Sequence, residues 1–253
     1  MEVNVWTVLA LATVTALATG LGVAPFLVAR KSAQRFLGVS NALAAGMMLA
    51  ASFGLIYEQL HEAYFRVLAG ALAGLVFVVV MRRMMTGLGD DWTVAGVKGS
   101  DARRIFLFLL VMTIHSFAEG VAVGVSFAGS DALGLFITAA IAVHNIPEGL
   151  SISLMMVPHG ARIPSTALWC VFSSLPQPLM AVPAYLFVEA FADFLPVGLG
   201  FAAGAMIWMV AAELLHEALD ADSNRNRLAI AVTVAIIGMT LLQVMLDIGA
   251  GNS

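Results

Sequence analysis

Residues 104–128 read RIFLFLLVMTIHSFAEGVAVGVSFA, and residues 132–157 read ALGLFITAAIAVHNIPEGLSISLMMV. Each stretch is long and apolar enough to cross a bilayer as a helix, which takes about 20 residues. Each also carries a histidine, a glutamate four residues later, and a glycine directly after the glutamate. Ionisable side chains are costly at mid-membrane and usually have a function there. The two stretches therefore predict membrane helices that hold a polar site.

The rest of the chain also has the composition of a membrane protein. Hydrophobic residues make up 61% of the 253 residues and charged residues only 11%, where about 25% charged is usual for a soluble domain. The mean hydropathy is +0.96. A net charge of −4 gives no basic surface for nucleic acid. The single cysteine, Cys170, excludes an intrachain disulfide and a paired-cysteine metal site.

Eight apolar stretches predict an all-α integral membrane protein, a bundle of eight transmembrane helices in a single domain over residues 1–253. The stretches are 5–29, 36–57, 67–82, 104–128, 132–157, 164–188, 195–217 and 228–248. These runs are continuous, whereas the strands of a membrane barrel alternate in polarity. The glycine-rich segment 83–103 is expected to be a mobile cytoplasmic loop within the domain.

The distribution of Lys and Arg predicts the orientation. With both termini outside, eleven of the twelve basic residues fall in cytoplasmic loops and only Arg66 falls outside. Cytoplasmic loops of membrane proteins are enriched in Lys and Arg, so we expect this orientation. The short loops indicate a bacterial inner (plasma) membrane.

The polar strings of the fourth and fifth spans predict a metal site. His115 and Glu119 share one helix face, as do His144 and Glu148, because residues four apart are neighbours on a helix. Each histidine lies about 11 or 12 residues from the start of its span, near the bilayer midplane. A divalent cation would relieve the repulsion between the two carboxylates, and imidazole with carboxylate suits Zn²⁺, Fe²⁺ and Mn²⁺. Pro147 is expected to break the fifth helix beside His144.

Other spans carry polar residues whose role stays open. Gln177 lies between Pro176 and Pro178 in the sixth span, which predicts a broken helix with an amide oxygen at the break. That break is either a kink alone or a kink with a metal ligand. The ends of two spans carry further candidates, either interfacial charges or a metal relay. They are Glu58, His61 and Glu62 in the second span and Glu213, His216 and Glu217 in the seventh.

A weak internal repeat relates the second span to the seventh. The string Ala-Ala-Gly at 44–46 is followed by Leu-His-Glu-Ala at 60–63, and the same strings recur at 202–204 and 215–218. Related spans of opposite direction that meet at a midplane site are typical of secondary transporters. Gly-x-x-x-Gly pairs at 70, 120 and 200 permit close helix contact, either within the bundle or in a homodimer.

These strings resemble the signature of the ZIP (Zrt/Irt-like) family of divalent metal transporters, most of all its bacterial GufA- and ZupT-type members. The resemblance covers all eight spans. Its specific part is the string His-Ser-x-x-Glu-Gly at 115–120 together with His-Asn-x-Pro-Glu-Gly at 144–149. The resemblance implies an eight-helix bundle with both termini outside. It also implies import of Zn²⁺, or of Fe²⁺, Mn²⁺ or Cd²⁺, into the cytoplasm by alternating access.

The resemblance also assigns candidate metal ligands. His115, Glu119, His144 and Glu148 match positions that bind metal in the family. Ser116 and Asn145 match positions that help to form a second, bridged metal site. Gln177 stands where relatives often carry Glu, and Glu213 matches a carboxylate on the inner path. Ser116 stands where many relatives carry Asn, and the changes at 116 and 177 leave open whether one metal ion or two bind.

On this interpretation the metal is transported rather than held as a cofactor, and the protein is not an enzyme. Its partners are divalent metal ions and membrane lipid. An intramembrane zinc hydrolase is the alternative, with His115, His144, His216 and Glu119 as its zinc ligands and base. The string His-Glu-x-x-His of many zinc hydrolases is absent from the sequence. A metal-gated channel is a third interpretation.

Overall fold

The computed structural model describes residues 4–28, 37–86 and 93–249, which are almost entirely helical. The elements are α1 (Val5–Gly20), a 3-10 turn (Leu21–Val23), α2 (Ala24–Val28), α3 (Leu37–Thr86), β1 (Thr93–Val94), β2 (Val97–Lys98), α4 (Gly99–Gly129), α5 (Asp131–Met156), α6 (Ile163–Ser174), α7 (Pro176–Leu186), α8 (Val188–Ala192), α9 (Leu195–Met209), a π-helical turn (Val210–Leu214), α10 (Leu215–Ala221) and α11 (Arg225–Gly249). This architecture confirms the all-α class.

Within the described residues, eight helical stretches are long and apolar enough to cross a membrane, which confirms the expected number of spans. They are Val5–Leu27, Leu37–Gly54, Ala63–Met84, Gly99–Ala128, Asp131–Met156, Ile163–Leu186, Leu195–Ala221 and Arg225–Met245. The second and third spans both lie in α3, which has non-helical backbone angles at Ala63 (φ −150°, ψ 44°). Large apolar side chains on the outer surface, such as Trp6, Leu72 and Leu168, are exposed where lipid would contact them.

Local capping residues start several of the helices. The side chain of Asn4 accepts hydrogen bonds from the backbone N–H groups of Trp6 and Thr7 and so caps α1. Ser130 caps α5 by accepting from the N–H of Leu133. Prolines occupy the first turn of α6, α7 and α9, where the missing N–H costs no helical hydrogen bond.

The two proline-containing spans behave differently. The sixth span breaks as expected, since α6 ends at Ser174 and α7 begins at Pro176. The expected break in the fifth span is wrong, because α5 is one helix from Asp131 to Met156 that contains Pro147. Membrane helices tolerate an internal proline when neighbouring groups satisfy the freed backbone carbonyl.

Part of the segment 83–103 forms a small β-hairpin. β1 pairs antiparallel with β2, and the turn residues Ala95 and Gly96 both have positive φ, as a tight two-residue turn requires. Val94 and Val97 are buried against the core at the start of α4. Residues 87–92 lie outside the described part of the chain, and mobility of this loop stays a prediction.

Methionines fill much of the core beside this hairpin. Met112, Met155, Met206 and Met209 are almost fully buried in one apolar cluster with Phe108. Flexible thioether side chains fill irregular gaps between helices well. These methionines therefore contribute to packing in the bundle.

Glycines allow four pairs of spans to touch backbone to backbone. Gly46 in the second span lies against Val232 in the eighth, and Gly204 in the seventh lies against Ala71 in the third. Gly120 in the fourth span lies against Gln177 in the sixth, while Gly149 in the fifth span lies against Thr19 in the first. A side chain at any of these glycines would collide with the facing backbone.

These contacts follow a regular pairing of spans. The contacts join the second span to the eighth, the third to the seventh, the fourth to the sixth and the first to the fifth. If span 1 is exchanged with 6, 2 with 7, 3 with 8 and 4 with 5, each contact becomes another of the four. The strings at 44–46 and 202–204, which suggested a repeat, supply two of the contacting glycines. The helix packing therefore has the pattern that two related three-span units would produce.

Candidate metal centre

Four metal-ligating side chains meet between α4 and α5. His115 and Glu119 lie on one face of α4, and His144 and Glu148 lie on one face of α5, as the i, i+4 spacing predicts. His115, Glu119 and Glu148 are at most 2% exposed, and His144 is 9% exposed. One nitrogen or oxygen atom from each residue can be chosen so that all four lie within 4.8 Å of one another.

The glycine after each glutamate lets its helix contact the backbone of a neighbouring helix beside the metal-binding residues. Gly120 brings α4 against the backbone of Gln177 in α7, directly beside Glu119. Gly149 brings α5 against the backbone of Thr19 in α1, directly beside Glu148. The two equivalent glycines therefore clamp the centre between the first and sixth spans.

The closest distances suit ligands of one metal ion. His115 Nε2 lies 2.8 Å from Glu148 Oε1 and 3.4 Å from Glu119 Oε1, while His144 Nε2 lies 3.1 Å from Glu148 Oε1. Two ligand atoms of a tetrahedral zinc ion with bonds near 2.1 Å are about 3.4 Å apart. The spacing of the four side chains is thus close to that of a zinc coordination shell.

These close atoms do not satisfy one another as hydrogen-bond partners. Within the described part of the chain, both ring nitrogens of His115, Nε2 of His144 and both carboxylate oxygens of Glu148 are buried without a hydrogen bond. Buried polar atoms in proteins nearly always have a partner, so such a group requires an explanation. Ligand atoms that lie this close together without forming well-aligned hydrogen bonds are arranged as ligands of an ion.

Three neutral side chains surround the carboxylates. Gln177, in the first turn of α7, donates a 2.6 Å hydrogen bond from Nε2 to Glu119 Oε2. Its Oε1 accepts from Asn145 Nδ2 at 3.0 Å and lies 2.6 Å from the Thr15 hydroxyl, whose single proton is shared with the Ala12 carbonyl at 2.7 Å. Asn145 also donates to the backbone carbonyl of Thr15 at 2.7 Å. The predicted residues Asn145 and Gln177 therefore lie at the centre, joined to the first span.

Two oxygens beside this network are unpaired among the groups that the structure describes. They are the hydroxyl of Ser116 and Oδ1 of Asn145, both buried. Ser116 directly follows His115, and Asn145 directly follows His144. Both predicted residues thus offer a neutral oxygen near the two histidines.

Glu213 has other partners. It lies in the π-helical turn between α9 and α10, is 3% exposed, and accepts from Arg104 Nε at 2.9 Å and from Arg104 Nη2 at 2.6 Å. Arg82 approaches its second oxygen at 3.6 Å, and Arg104 also lies 3.3 Å from Glu217. The Glu213 carboxylate is thus neutralised by arginines from the third and fourth spans. π-helical turns within α-helices are frequent at functional sites.

The remaining candidates do not join the centre. His216 is exposed and lies 3.5 Å from Asp220 on the same helix, so the third histidine of the hydrolase alternative is not assembled with His115 and His144. That alternative has no support. The side chains of Glu58, His61 and Glu62 lie outside the part of the chain that the structure describes.

Sequence reasoning missed Thr15 and Arg104. Thr15 is a buried hydroxyl in the first span, with Thr19 one helical turn further on, and the Thr19 hydroxyl lies 2.7 Å from that of Ser174. Two hydroxyls four residues apart on one face of a membrane helix were the available signal. Arg104 was counted only as a charge in a loop, because its span was taken to start there.

Comparisons with known proteins agree with this geometry. The family model of the ZIP zinc transporters matches residues 96–246, which include both polar strings. The chain is 31% identical over 246 residues to the zinc transporter GufA of Myxococcus xanthus, covering 92% of this chain and 95% of that protein. It is 35% identical over 253 residues to the zinc transporter ZIPB of Bordetella bronchiseptica, covering 92% of this chain and 78% of that protein.

A longer plant protein has a higher sequence identity to the chain than these two bacterial proteins. The chain is 43% identical over 249 residues to an Arabidopsis thaliana protein named as a proposed zinc transporter, and the match covers 97% of this chain. It spans only 40% of that protein's length. The family model covers more than half of the chain, and the bacterial relatives match it over nearly its whole length. The chain belongs to the ZIP family of zinc transporters, a family of membrane transporters rather than of enzymes.

Proposed function

We propose that the protein imports divalent transition metal, Zn²⁺ first, into the cytoplasm through the centre formed by His115, Glu119, His144 and Glu148. The observation that carries this proposal is the set of buried histidine and glutamate ligand atoms that converge between two membrane spans. Carboxylates attract the cation, and imidazoles favour borderline metals over Mg²⁺ and Ca²⁺. Fe²⁺, Mn²⁺ and Cd²⁺ share this ligand preference and are secondary substrates in the proposal.

Burial of the centre favours a carrier over an open channel. The four ligating side chains are enclosed by the bundle, so an ion can reach them only when helices separate. Alternating access requires two groups of helices that move against each other about a central site. The close backbone contacts join the second span to the eighth and the third to the seventh, and they join the first span to the fifth and the fourth to the sixth, which supports two such groups.

Glu213 is proposed to receive the metal on the cytoplasmic side. In the structure Arg104 donates two hydrogen bonds to one oxygen of the Glu213 carboxylate, Oε2. Separation of α4 from the π-helical turn would free the Glu213 carboxylate to bind metal. The Arg104–Glu213 pair therefore fits a closed inner mouth, with opening as the step that frees the carboxylate.

The proposed orientation rests on charge. With both termini outside, Arg82, Arg104 and Arg225 lie on the cytoplasmic side, as the positive-inside rule expects. The Glu213 cluster then faces the cytoplasm. The bacterial relatives support an inner-membrane location.

Metal flux into liposomes tests the proposal. Purified protein would be reconstituted around a metal-sensitive dye, and entry of Zn²⁺, Fe²⁺, Mn²⁺ and Cd²⁺ would be recorded over a range of concentrations. We expect saturable entry of Zn²⁺, with the other three ions competing. Entry that rises linearly without saturation would contradict a carrier, and no entry above that of empty liposomes would contradict transport.

A further inference from the structure

Gln177 connects the two halves of the metal centre. It is fully buried, and its three hydrogen bonds reach Glu119 of α4, Asn145 of α5 and Thr15 of α1. The Oε1 atom accepts from the Asn145 amide and also contacts the Thr15 hydroxyl, whose single proton lies between this oxygen and the Ala12 carbonyl. The oxygen of the amide therefore contacts two protein groups in this arrangement.

The same amide also donates a hydrogen bond to one carboxylate oxygen of Glu119. Nε2 donates to Glu119 Oε2 at 2.6 Å, while Glu119 Oε1 faces His115 at 3.4 Å. In the common bridging mode, a carboxylate gives one oxygen to each of two metal ions. In this chain the second oxygen of Glu119 faces an amide N–H group instead of a cation.

The charge at the centre matches one divalent cation. Glu119 and Glu148 together supply two negative charges, and histidine binds metal in its neutral form. Ser116, Asn145 and Gln177 supply none. One divalent ion would neutralise the centre, whereas two would leave two positive charges uncompensated within the membrane. Uncompensated buried charge is strongly unfavourable.

We propose that the centre holds a single divalent cation, and that Gln177 is a positioning residue whose amide replaces a second cation beside Glu119. This inference rests on the proposed function, because it assumes that the four-residue centre is the transport site. Gln177 holds Glu119 so that Oε1 points toward His115. It also links both metal-binding spans to the first span through Thr15.

A count of bound zinc tests the inference. Purified protein in detergent would be dialysed against buffered Zn²⁺, and its metal content measured by mass spectrometry. The difference between wild type and His144→Ala/Glu148→Ala counts the ions at this centre and excludes ions bound elsewhere. We expect a difference of one per chain. A difference of two would overturn the inference, and a difference of zero would overturn both the inference and the proposed transport site.

Replacing two amides of the centre by carboxylates should create a second metal site. Asn145→Asp/Gln177→Glu brings the centre to four negative charges, which two divalent ions balance, so we expect two zinc ions per chain. X-ray absorption at the zinc edge should then show zinc–zinc scattering near 3.5–4 Å, the usual separation in two-metal sites. Wild type should show no such scattering. A count that stays at one in this folded variant would contradict the charge argument.

A matched control separates this effect from added charge in general. Asn224→Asp/Gln243→Glu makes the same two amide-to-carboxylate changes at the exposed N-terminal cap of α11 and at a partly exposed position within α11. We expect its zinc count to equal that of wild type. If Asn145→Asp/Gln177→Glu fails to fold, Gln177→Glu alone and the wild-type count still decide. A wild-type count of one without zinc entry into liposomes would contradict transport but support the single-ion centre.

Discussion

His115 and Glu148 form the shortest contact between a histidine and a carboxylate in the metal centre, and that contact crosses from one helix to the other. Their Nε2 and Oε1 atoms are 2.8 Å apart, whereas His115 is 3.4 Å from Glu119 on its own helix. Glu148 Oε1 also lies 3.1 Å from His144 Nε2. The two carboxylates are therefore not equivalent, because Glu148 alone faces both imidazoles through one oxygen.

Replacing Glu148 should weaken zinc binding more than replacing Glu119. Glu148→Gln removes the charge shared by both histidines, and loss of one partner from a buried charged group costs about 3 kcal/mol. That corresponds to roughly a 100-fold rise in Kd. Glu119→Gln should raise the Kd less, since one oxygen of Glu119 already faces the Gln177 amide. Calorimetric titration of both variants with Zn²⁺ checks the order, and equal Kd values would contradict the asymmetry.

Gly149→Ala should destabilise the bundle. A methyl group there would collide with the Thr19 carbonyl and force α1 away from α5, and overpacking of this kind costs about 1–3 kcal/mol. Gly238→Ala is the matched control, because a methyl group at Gly238 would meet no atom within 4 Å in the described structure. Thermal unfolding in detergent should show a lower Tm for Gly149→Ala only. The same Tm for both variants would be inconsistent with the backbone contact.

Arg104 and Glu213 should be energetically coupled. Glu213 is buried while Arg104 is 35% exposed on its side chain, so Arg104→Gln leaves a buried carboxylate with only the more distant Arg82. Residues in such a pair show coupling of roughly 0.5–3 kcal/mol. We expect Arg104→Gln/Glu213→Gln to be less destabilised than the sum of the two single variants. Unfolding of all four proteins measures the coupling, and strict additivity would argue against the pair.

Labelling of single cysteines should reveal the orientation. Ala190 and Ser223 are exposed at opposite ends of the seventh span, and Cys170 is fully buried. A membrane-impermeant maleimide added to intact cells should label Ala190→Cys and leave Ser223→Cys and wild type unlabelled. Labelling of Ser223→Cys from outside, with Ala190→Cys protected, would reverse the proposed topology.

The sequence predicted most of the fold because apolar runs of membrane length are hard to mistake. All eight spans were found, and the structure extends the fourth back to Gly99 and the third to Ala63–Met84. The effect of Pro147 was mispredicted, because its neighbours in three dimensions decide whether a proline breaks a membrane helix. The π-helical turn at Glu213 had no local signature either.

The sequence predicted the ionisable residues of the metal centre but not the side chains that hydrogen-bond to the site residues. His115, Glu119, His144 and Glu148 stand out because ionisable groups are rare in apolar spans. Gln177 is hydrogen-bonded to Thr15, which is 162 residues away in the sequence, and Arg104 is hydrogen-bonded to Glu213, which is 109 residues away. Such partners are set by how distant helices pack, so a single sequence does not reveal them.

Zinc entry into liposomes by two double variants tests the central claim most directly. His144→Ala/Glu148→Ala removes an i, i+4 histidine–carboxylate pair from the centre, and His216→Ala/Asp220→Ala removes an exposed pair with the same spacing. If zinc crosses through the centre, the first variant should lose saturable entry while the second transports zinc at the wild-type rate. Undiminished entry by a folded His144→Ala/Glu148→Ala protein would contradict the account.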